Sequence, residues 1–230
     1  MKIVVLISAI TEWLAVKGII NPSDLQTTPY GEKFEATLNA KTFNFLHSGW
    51  GKTASAGAMQ YVIDRFSPDL IVNLGTCGGF EGLVDLNEVI LVERTFVYDI
   101  VELMGDFGSV FDYYASTLDL SWLPESYPHS ARRGILASAD SDLLPGKISQ
   151  LAAQGAIAAD WESAALAWVA QKNGARLLIL RAVSDLVSME GGEAYDNIGL
   201  YKERTQQIMR RLIKQLPDWV YAIEISAEAG

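Results

Sequence analysis

Apolar residues fall into short continuous runs along this chain, and between those runs they recur at helical spacing. Ile3 to Ile7, Phe43 to His47, Leu70 to Leu74, Val89 to Val92, Gly134 to Ser138, Ala156 to Trp161 and Leu177 to Val183 read as strands. Several show no polar alternation, the pattern of strands covered on both faces in a parallel or mixed sheet. Lys52 to Phe66 sets Ala54, Ala58, Tyr61, Val62 and Phe66 near one helical face, and Ser67-Pro68 ends it. Glu162 to Lys172 carries Ala165, Leu166, Val169 and Ala170 and stops at Asn173-Gly174. Ile198 to Leu216 is a long amphipathic segment that runs up to Pro217. Strands and helices alternating in this way mean an α/β fold with helices on the sheet faces. No linker and no internal repeat interrupts the order, so residues 1–230 read as a single domain.

The segment from Phe96 to Ser130 departs from the pattern. It is broken by Gly105, Gly108, Pro124 and Pro128, and it is rich in aromatic residues, among them Phe96, Tyr98, Phe107, Phe111, Tyr113, Tyr114, Trp122 and Tyr127. A long irregular stretch inside a compact domain is usually functional or at an interface. Composition narrows the partners. The formal net charge is −10, which repels nucleic-acid backbones, so DNA and RNA are excluded as expected partners. The single cysteine, Cys77, allows no internal disulfide and fits a reducing, cytoplasmic setting. The opening "MKIVVLISAI" reads as a first strand rather than a signal, because its apolar stretch is short and Glu12 follows at once. No run approaches the roughly 18 apolar residues that a membrane span needs.

Ligands of open α/β sheets bind beyond the carboxyl ends of the strands. The chain puts "SAITE" (Ser8 to Glu12), "SGWGKTASAG" (Ser48 to Gly57), "GTCGGF" (Gly75 to Phe80), "ADWES" (Ala159 to Ser163) and Ser184-Asp185 there. Each has a plain structural reading. Glu12 suits a solvated helix position, Glu162 a helix N-terminus and Asp185 a cap. The glycines of "GTCGGF" suit a tight turn with positive φ, and Cys77 among small apolar neighbours suits an inert, packed thiol. "GWGK" lacks the GxxxxGK[ST] spacing of a phosphate loop. Taken together, three carboxylates and two glycine-rich turns converge on one sheet edge. His47 is the only histidine near them, and no His/Cys cluster has metal-ligand spacing. The expected chemistry is therefore carboxylate acid–base work, with no metal and no other cofactor.

"SGWGKTASAG", "IVNLGTCGGF", "ADWESAALA" and "LILRAVSDL" occur in an order and spacing that resemble the nucleoside phosphorylase/nucleosidase superfamily. The chain is most like its 5′-methylthioadenosine/S-adenosylhomocysteine nucleosidases, from Met1 to about Leu216. The resemblance implies a twisted, mixed, partly barrel-like sheet flanked by helices. It also implies cleavage of a purine–ribose N-glycosidic bond in a small nucleoside, by a homodimer or larger homo-oligomer. Asp185 matches the acid that protonates N7 of the leaving purine, and Ser184 the serine that holds it. Glu162 matches the carboxylate on the ribose 2′ and 3′ hydroxyls, and Glu12 the one that activates water. Ala9, Thr76, Gly78 and Trp161 complete the implied substrate-binding set. The chain also departs from the family. Trp161 stands where a methionine usually touches the ribose, and Asp142 or Leu143 where a phenylalanine stacks on the base. The base and the 5′ substituent stay open.

The superfamily divides on whether water or phosphate attacks. Phosphate binding calls for strong donors, typically bidentate arginine. The turn after the first strand has no basic residue before Lys17, Asn73 stands three residues before Thr76, and the first arginine in the chain is Arg65. These residues favour hydrolysis. Phosphorolysis and a non-catalytic, nucleoside-binding role remain the alternatives, and the presence of both Asp185 and Glu162 weighs against the second.

Overall fold

The computed structural model describes residues 1–229; Gly230, which the single-domain expectation included, lies outside the described residues, as do the side chains of Phe107, Ala227, Glu228 and Ala229. In chain order the strands are β1 (Ile3–Ile7), β2 (Gln26–Thr27), β3 (Glu32–Leu38), β4 (Lys41–His47), β5 (Leu70–Phe80), β6 (Val89–Val97), β7 (Ser116–Thr117), β8 (Arg132–Ser138), β9 (Ala156–Asp160), β10 (Leu177–Ser188) and β11 (Gly191–Gly192). The helices are α1 (Ile10–Ile20), α2 (Gly51–Phe66), α3 (Phe107–Tyr114), α4 (Ile148–Ala153), α5 (Ser163–Asn173) and α6 (Ile198–Ala229).

All the strands join one mixed sheet, in the order β11-β10-β6-β8-β9-β5-β1-β4-β3-β2, with β7 on β6. Because β10 also pairs with β5, the five strands β10, β6, β8, β9 and β5 close into a ring, and β1, β4, β3 and β2 continue from it as an open wing. This is the partly barrel-like mixed sheet expected from the resemblance. β1 shows why its run carries no polar alternation: all five residues are buried. Ile3, Val5 and Ile7 pack toward Trp13 and the α6 residues Ile208, Leu212 and Trp219. Val4 and Leu6 pack toward Met59 and Val62 of α2 and Leu166 and Val169 of α5.

Three expectations are corrected. β5 and β10 do not stop at Leu74 and Val183; they pair in parallel from Leu177↔Ile71 to Val187↔Phe80, with one irregularity between Val183 and Asp185. "GTCGGF" is therefore strand rather than turn, and Gly75, Gly78 and Gly79 have no positive φ. Their smallness serves close approach: a Cβ on Gly79 would lie 2.5 Å from Val84 and 2.7 Å from Val183. The third correction concerns α6, which continues through Pro217 to Ala229. Proline in a helix interior costs about 3 kcal/mol. Leu216, Trp219, Val220 and Ile223 are all buried, and burying each such side chain returns about 1.5–3 kcal/mol, so packing outweighs the lost hydrogen bond. The irregular region from Phe96 to Ser130 contains α3 and β7, and between them and β6 the side chains of Val101, Leu103 and Met104 are 78%, 89% and 99% exposed.

Candidate active site

The centre of the site is a residue that the apolar pattern of its strand does not mark. Arg181 lies in β10 between Leu180 and Ala182 and is 1% exposed. Three carboxylates surround its guanidinium: Asp160 at the end of β9 (Nε–Oδ2 3.1 Å), Glu162 just before α5 (Nη2–Oε2 3.5 Å) and Glu12 in the first turn of α1 (Nη1–Oε1 3.8 Å). Nε also donates to Ser163 Oγ at 3.1 Å, and Nη1 to the Thr76 carbonyl at 3.3 Å. Nη2 has no hydrogen-bond partner among the described residues. The approach depends on Gly75, where a Cβ would stand 2.2 Å from Arg181 Nη1 and 2.8 Å from Glu12 Oε1.

Glu12 is not the solvated helix residue of its plain reading; it is 1% exposed. Its Oε1 accepts from the Thr76 backbone N–H at 2.6 Å and from Thr76 Oγ1 at 2.9 Å, while among the described residues Oε2 accepts only from the Ala9 N–H at 3.2 Å. Burial raises the Glu12 pKa, opposed by Arg181 and the Thr76 hydrogen bonds. The Tyr201 phenol, from the first turn of α6, also reaches Thr76 and faces Glu12; burial first, then the Glu12 charge, push it up to about 12. Nothing in the helical pattern marked Tyr201, since its partners lie on β5 and α1.

Glu162 is 5% exposed, and its Oε1 accepts from the Gly51 N–H at 3.2 Å. Its pKa is pushed up to about 8, by burial first; Arg181 opposes this, and Asp160 and Glu12 add to it. Asp160, also missed in the sequence, anchors this corner. It accepts from Ser138 Oγ at 2.6 Å and from the Ser163 N–H at 3.2 Å. The signal for both missed residues was available: a charged side chain at the end of or inside an apolar strand must find a buried partner.

Ser184 and Asp185 sit at the β10 irregularity, where the pairing with β5 skips a residue. A bulge re-aims side chains, which is how so apolar a strand carries two polar residues within its length rather than at its end. Ser184 Oγ donates to Asp185 Oδ1 at 2.7 Å. Asp185 is 7% exposed, and burial raises its pKa against the Ser184 bond and the charge of Arg204. Arg204 itself is occupied, donating to the Ser184 carbonyl at 3.0 Å and pairing with Glu193 at 2.8 Å. Cys77 lies within electrostatic reach of Asp160, Arg181, Asp185 and Glu12, and burial raises its thiol well above the ordinary range, as an inert packed cysteine requires. Gly78 pairs with Ala159 beside these groups, and Trp161 is half-buried between Asp160 and Glu162. At the positions of the expected stacking ring, Asp142 is exposed and Leu143 is buried against Phe80, Phe96 and Val187. The Leu143 carbonyl accepts from the Tyr195 hydroxyl.

A family profile described as the phosphorylase superfamily matches residues 4–214. The chain belongs to the phosphorylase superfamily. Among relatives within it, the 5′-methylthioadenosine/S-adenosylhomocysteine nucleosidase of Oceanobacillus iheyensis is 26% identical over a match covering 78% of this chain and 84% of its own. The protein of the same name from a Marinomonas species is 24% identical, covering 93% and 99%. Among solved structures, a Helicobacter pylori nucleosidase of that name superposes with a TM-score of 0.75 at 16% identity over 95% of this chain and 98% of its own. The Streptococcus pneumoniae MTA/SAH nucleosidase bound to 8-aminoadenine gives 0.73 at 20% identity over 93% and 99%. These superpositions establish the superfamily fold.

Proposed function

We propose that the protein hydrolyses the N-glycosidic bond of a purine nucleoside of the methylthioadenosine/S-adenosylhomocysteine type, releasing free base and free ribose sugar. The observation that carries the reading is where the buried carboxylates sit. At one end, Asp185 stands at the β10 bulge with its Oδ1 bonded to Ser184. At the other, Glu12 and Glu162 flank the Arg181 guanidinium. The superfamily match and the names of the relatives agree with it.

A purine anion leaves poorly, and a proton on N7 makes it a good leaving group. With Ser184 bonded to Oδ1, the Asp185 proton sits on Oδ2, free to be given to the base. Glu162 accepts from the ribose 2′ and 3′ hydroxyls, and in its ionised form, which gains weight as pH rises through about 8, it stabilises the oxocarbenium character that develops on the sugar. Glu12 takes the proton of the attacking water. Its Oε1 is saturated by Thr76, which leaves Oε2, with one donor, as the base. Arg181 Nη2, which has the 3.5 Å ion pair with Glu162 but no hydrogen-bond partner among the described residues, is a donor available to that water or to a ribose oxygen. Ala9, Thr76, Gly78 and Trp161, which lie beside these groups, are the further residues that would contact the nucleoside. A phosphate dianion would meet a cation already shared by three carboxylates, so water is favoured on charge alone.

The protein acts in the cytoplasm as a homodimer; the exposed apolar side chains of Val101, Leu103 and Met104 are the surface that a second copy would cover. No described helix is long and apolar enough to cross a membrane. The test of the function is product analysis on methylthioadenosine, adenosine and inosine, with and without phosphate. Free base and free sugar, formed at the same rate in both buffers, are expected. Stoichiometric sugar 1-phosphate that vanishes when phosphate is withheld would make the protein a phosphorylase, and no base from any purine nucleoside would remove the catalytic reading.

A further inference from the structure

Helix α2 starts without a cap of its own. Trp50 stands at its N-cap position and makes no side-chain hydrogen bond to it, although the first turn of any helix presents unpaired N–H groups. Two carboxylates from distant elements meet them instead. Glu162 Oε1 accepts from Gly51 N at 3.2 Å, and Asp140 Oδ1 accepts from Lys52 N at 2.7 Å. Asp140 lies just after β8, and its own N–H donates to Asp99 Oδ2, just after β6, at 2.9 Å. Lys52 Nζ closes the cluster, at 2.5 Å from Asp99 Oδ2 and 3.2 Å from Asp140 Oδ2. Gly51 has φ +78, and a Cβ there would stand 2.6 Å from Asp140 Oδ1, so both the backbone turn and the close contact require glycine.

We infer that Lys52, Asp99 and Asp140 form a positioning clasp for the sugar-binding carboxylate, holding the first turn of α2 where the Gly51 N–H meets Glu162. The inference rests on the role proposed above for Glu162. Among the described residues, groups from five elements face Glu162. Arg181 from β10 and the Gly51 N–H from α2 favour its charged form, while Asp160 from β9 and Glu12 from α1 oppose it. The Tyr201 phenol from α6 faces it as well. Of these groups, the Gly51 N–H is the one whose place depends on two chain segments outside the buried cluster. The positive end of the α2 dipole acts in the same direction. If the clasp opens, Glu162 loses a donor and holds its proton to higher pH, so the ionised fraction that meets the ribose diol at pH 7, already the minority with a pKa of about 8, falls further.

A plain surface ion pair predicts something different. Such pairs contribute about 0–1 kcal/mol to stability and leave a neighbour's titration alone. The two accounts are separated with Asp140→Ala, Asp140→Asn and Lys52→Met, each made in the wild type and with Glu162→Gln. The first readout is thermal stability against pH, which needs no substrate. The part of the profile that Glu162→Gln abolishes should move up by about one pH unit in Asp140→Ala and Lys52→Met. It should move less in Asp140→Asn, whose amide oxygen can still accept from Lys52 N. The second readout is kinetic. KM for a riboside at pH 7 should rise about fivefold with kcat within about twofold, and KM for the 2′-deoxyriboside, which keeps only the 3′ hydroxyl, should rise less. A lower melting temperature with the Glu162 component unmoved would overturn the clasp. A wild-type protein that releases no base would sink the nucleosidase reading, and the stability profile would still decide the clasp.

Discussion

Replacing Glu162 by Gln should make the protein more stable at alkaline pH while costing it activity. The amide keeps the shape and can still accept from the Gly51 N–H, but it removes one of three carboxylates from around Arg181. In the folded protein the Glu162 pKa is pushed up to about 8 from an ordinary 4.5. A raised carboxylate pKa means that the folded state binds the proton more tightly than the unfolded chain does. The stability linked to it is fully present below about pH 4.5 and is lost as pH rises through about 8. Each pKa unit is worth about 1.4 kcal/mol, so the interval amounts to on the order of 3–5 kcal/mol. At about 2–4 °C per kcal/mol for a chain of this size, the wild type should melt roughly 10 °C lower at pH 9 than at pH 5 from this group alone. Glu162→Gln should lack that component. A residual slope from Glu12 and Asp185, both also raised, should persist in both proteins. The assay is a melting temperature at half-unit pH intervals from 4.5 to 9.5 at constant ionic strength. Parallel profiles for the two proteins would refute the reasoning, because Glu162 would then titrate as an ordinary glutamate.

Asp185→Asn should fold and bind nucleoside but lose about 10²–10⁴-fold in single-turnover cleavage, since the amide cannot deliver a proton to N7; near-wild-type turnover would remove Asp185 from the acid role. Gly75→Ala should lower the melting temperature and abolish base release together. Its Cβ would fall 2.2 Å from Arg181 Nη1, and overpacking of that kind costs about 1–3 kcal/mol; an active, equally stable variant would show that the Arg181 cluster can shift without consequence.

The apolar runs located the strands buried on both faces, because such a strand cannot hide its composition; β3, seven residues of which only Phe34 is buried, was missed. Their ends were less legible. β5 and β10 continue through Thr76 and Asp185 because each supplies the other's hydrogen bonds, a pairing between residues about a hundred positions apart that no local pattern encodes. The same distance hid the site's centre. Glu12, Glu162 and Asp185 could be proposed from short motifs, whereas the importance of Arg181 lies in β9, α1 and the start of α5 meeting around it. Early in the chain, where a phosphate ligand is expected, no arginine precedes Arg65, and Arg181 beside Ser184 serves the carboxylates instead. Pro217 misled for a related reason: a local rule about helix interiors lost to the burial of Trp219 and Val220.

The charge balance around Arg181 connects the fold to the choice of nucleophile. One guanidinium among three carboxylates leaves a surplus of negative charge if all three ionise, and the pKa of about 8 at Glu162 shows how strongly the buried cluster resists that state. A sugar carrying partial positive charge relieves the surplus; a phosphate dianion aggravates it. The same groups that would bind the ribose therefore stabilise its cleavage more than its ground state, because their attraction grows as the glycosidic bond lengthens. At the other end, burial at the β10 bulge favours a neutral, proton-carrying Asp185. One sheet thus provides an anionic environment for the sugar and an acid for the base, and it does so by placing a single arginine inside one strand and a bulge three residues further along it.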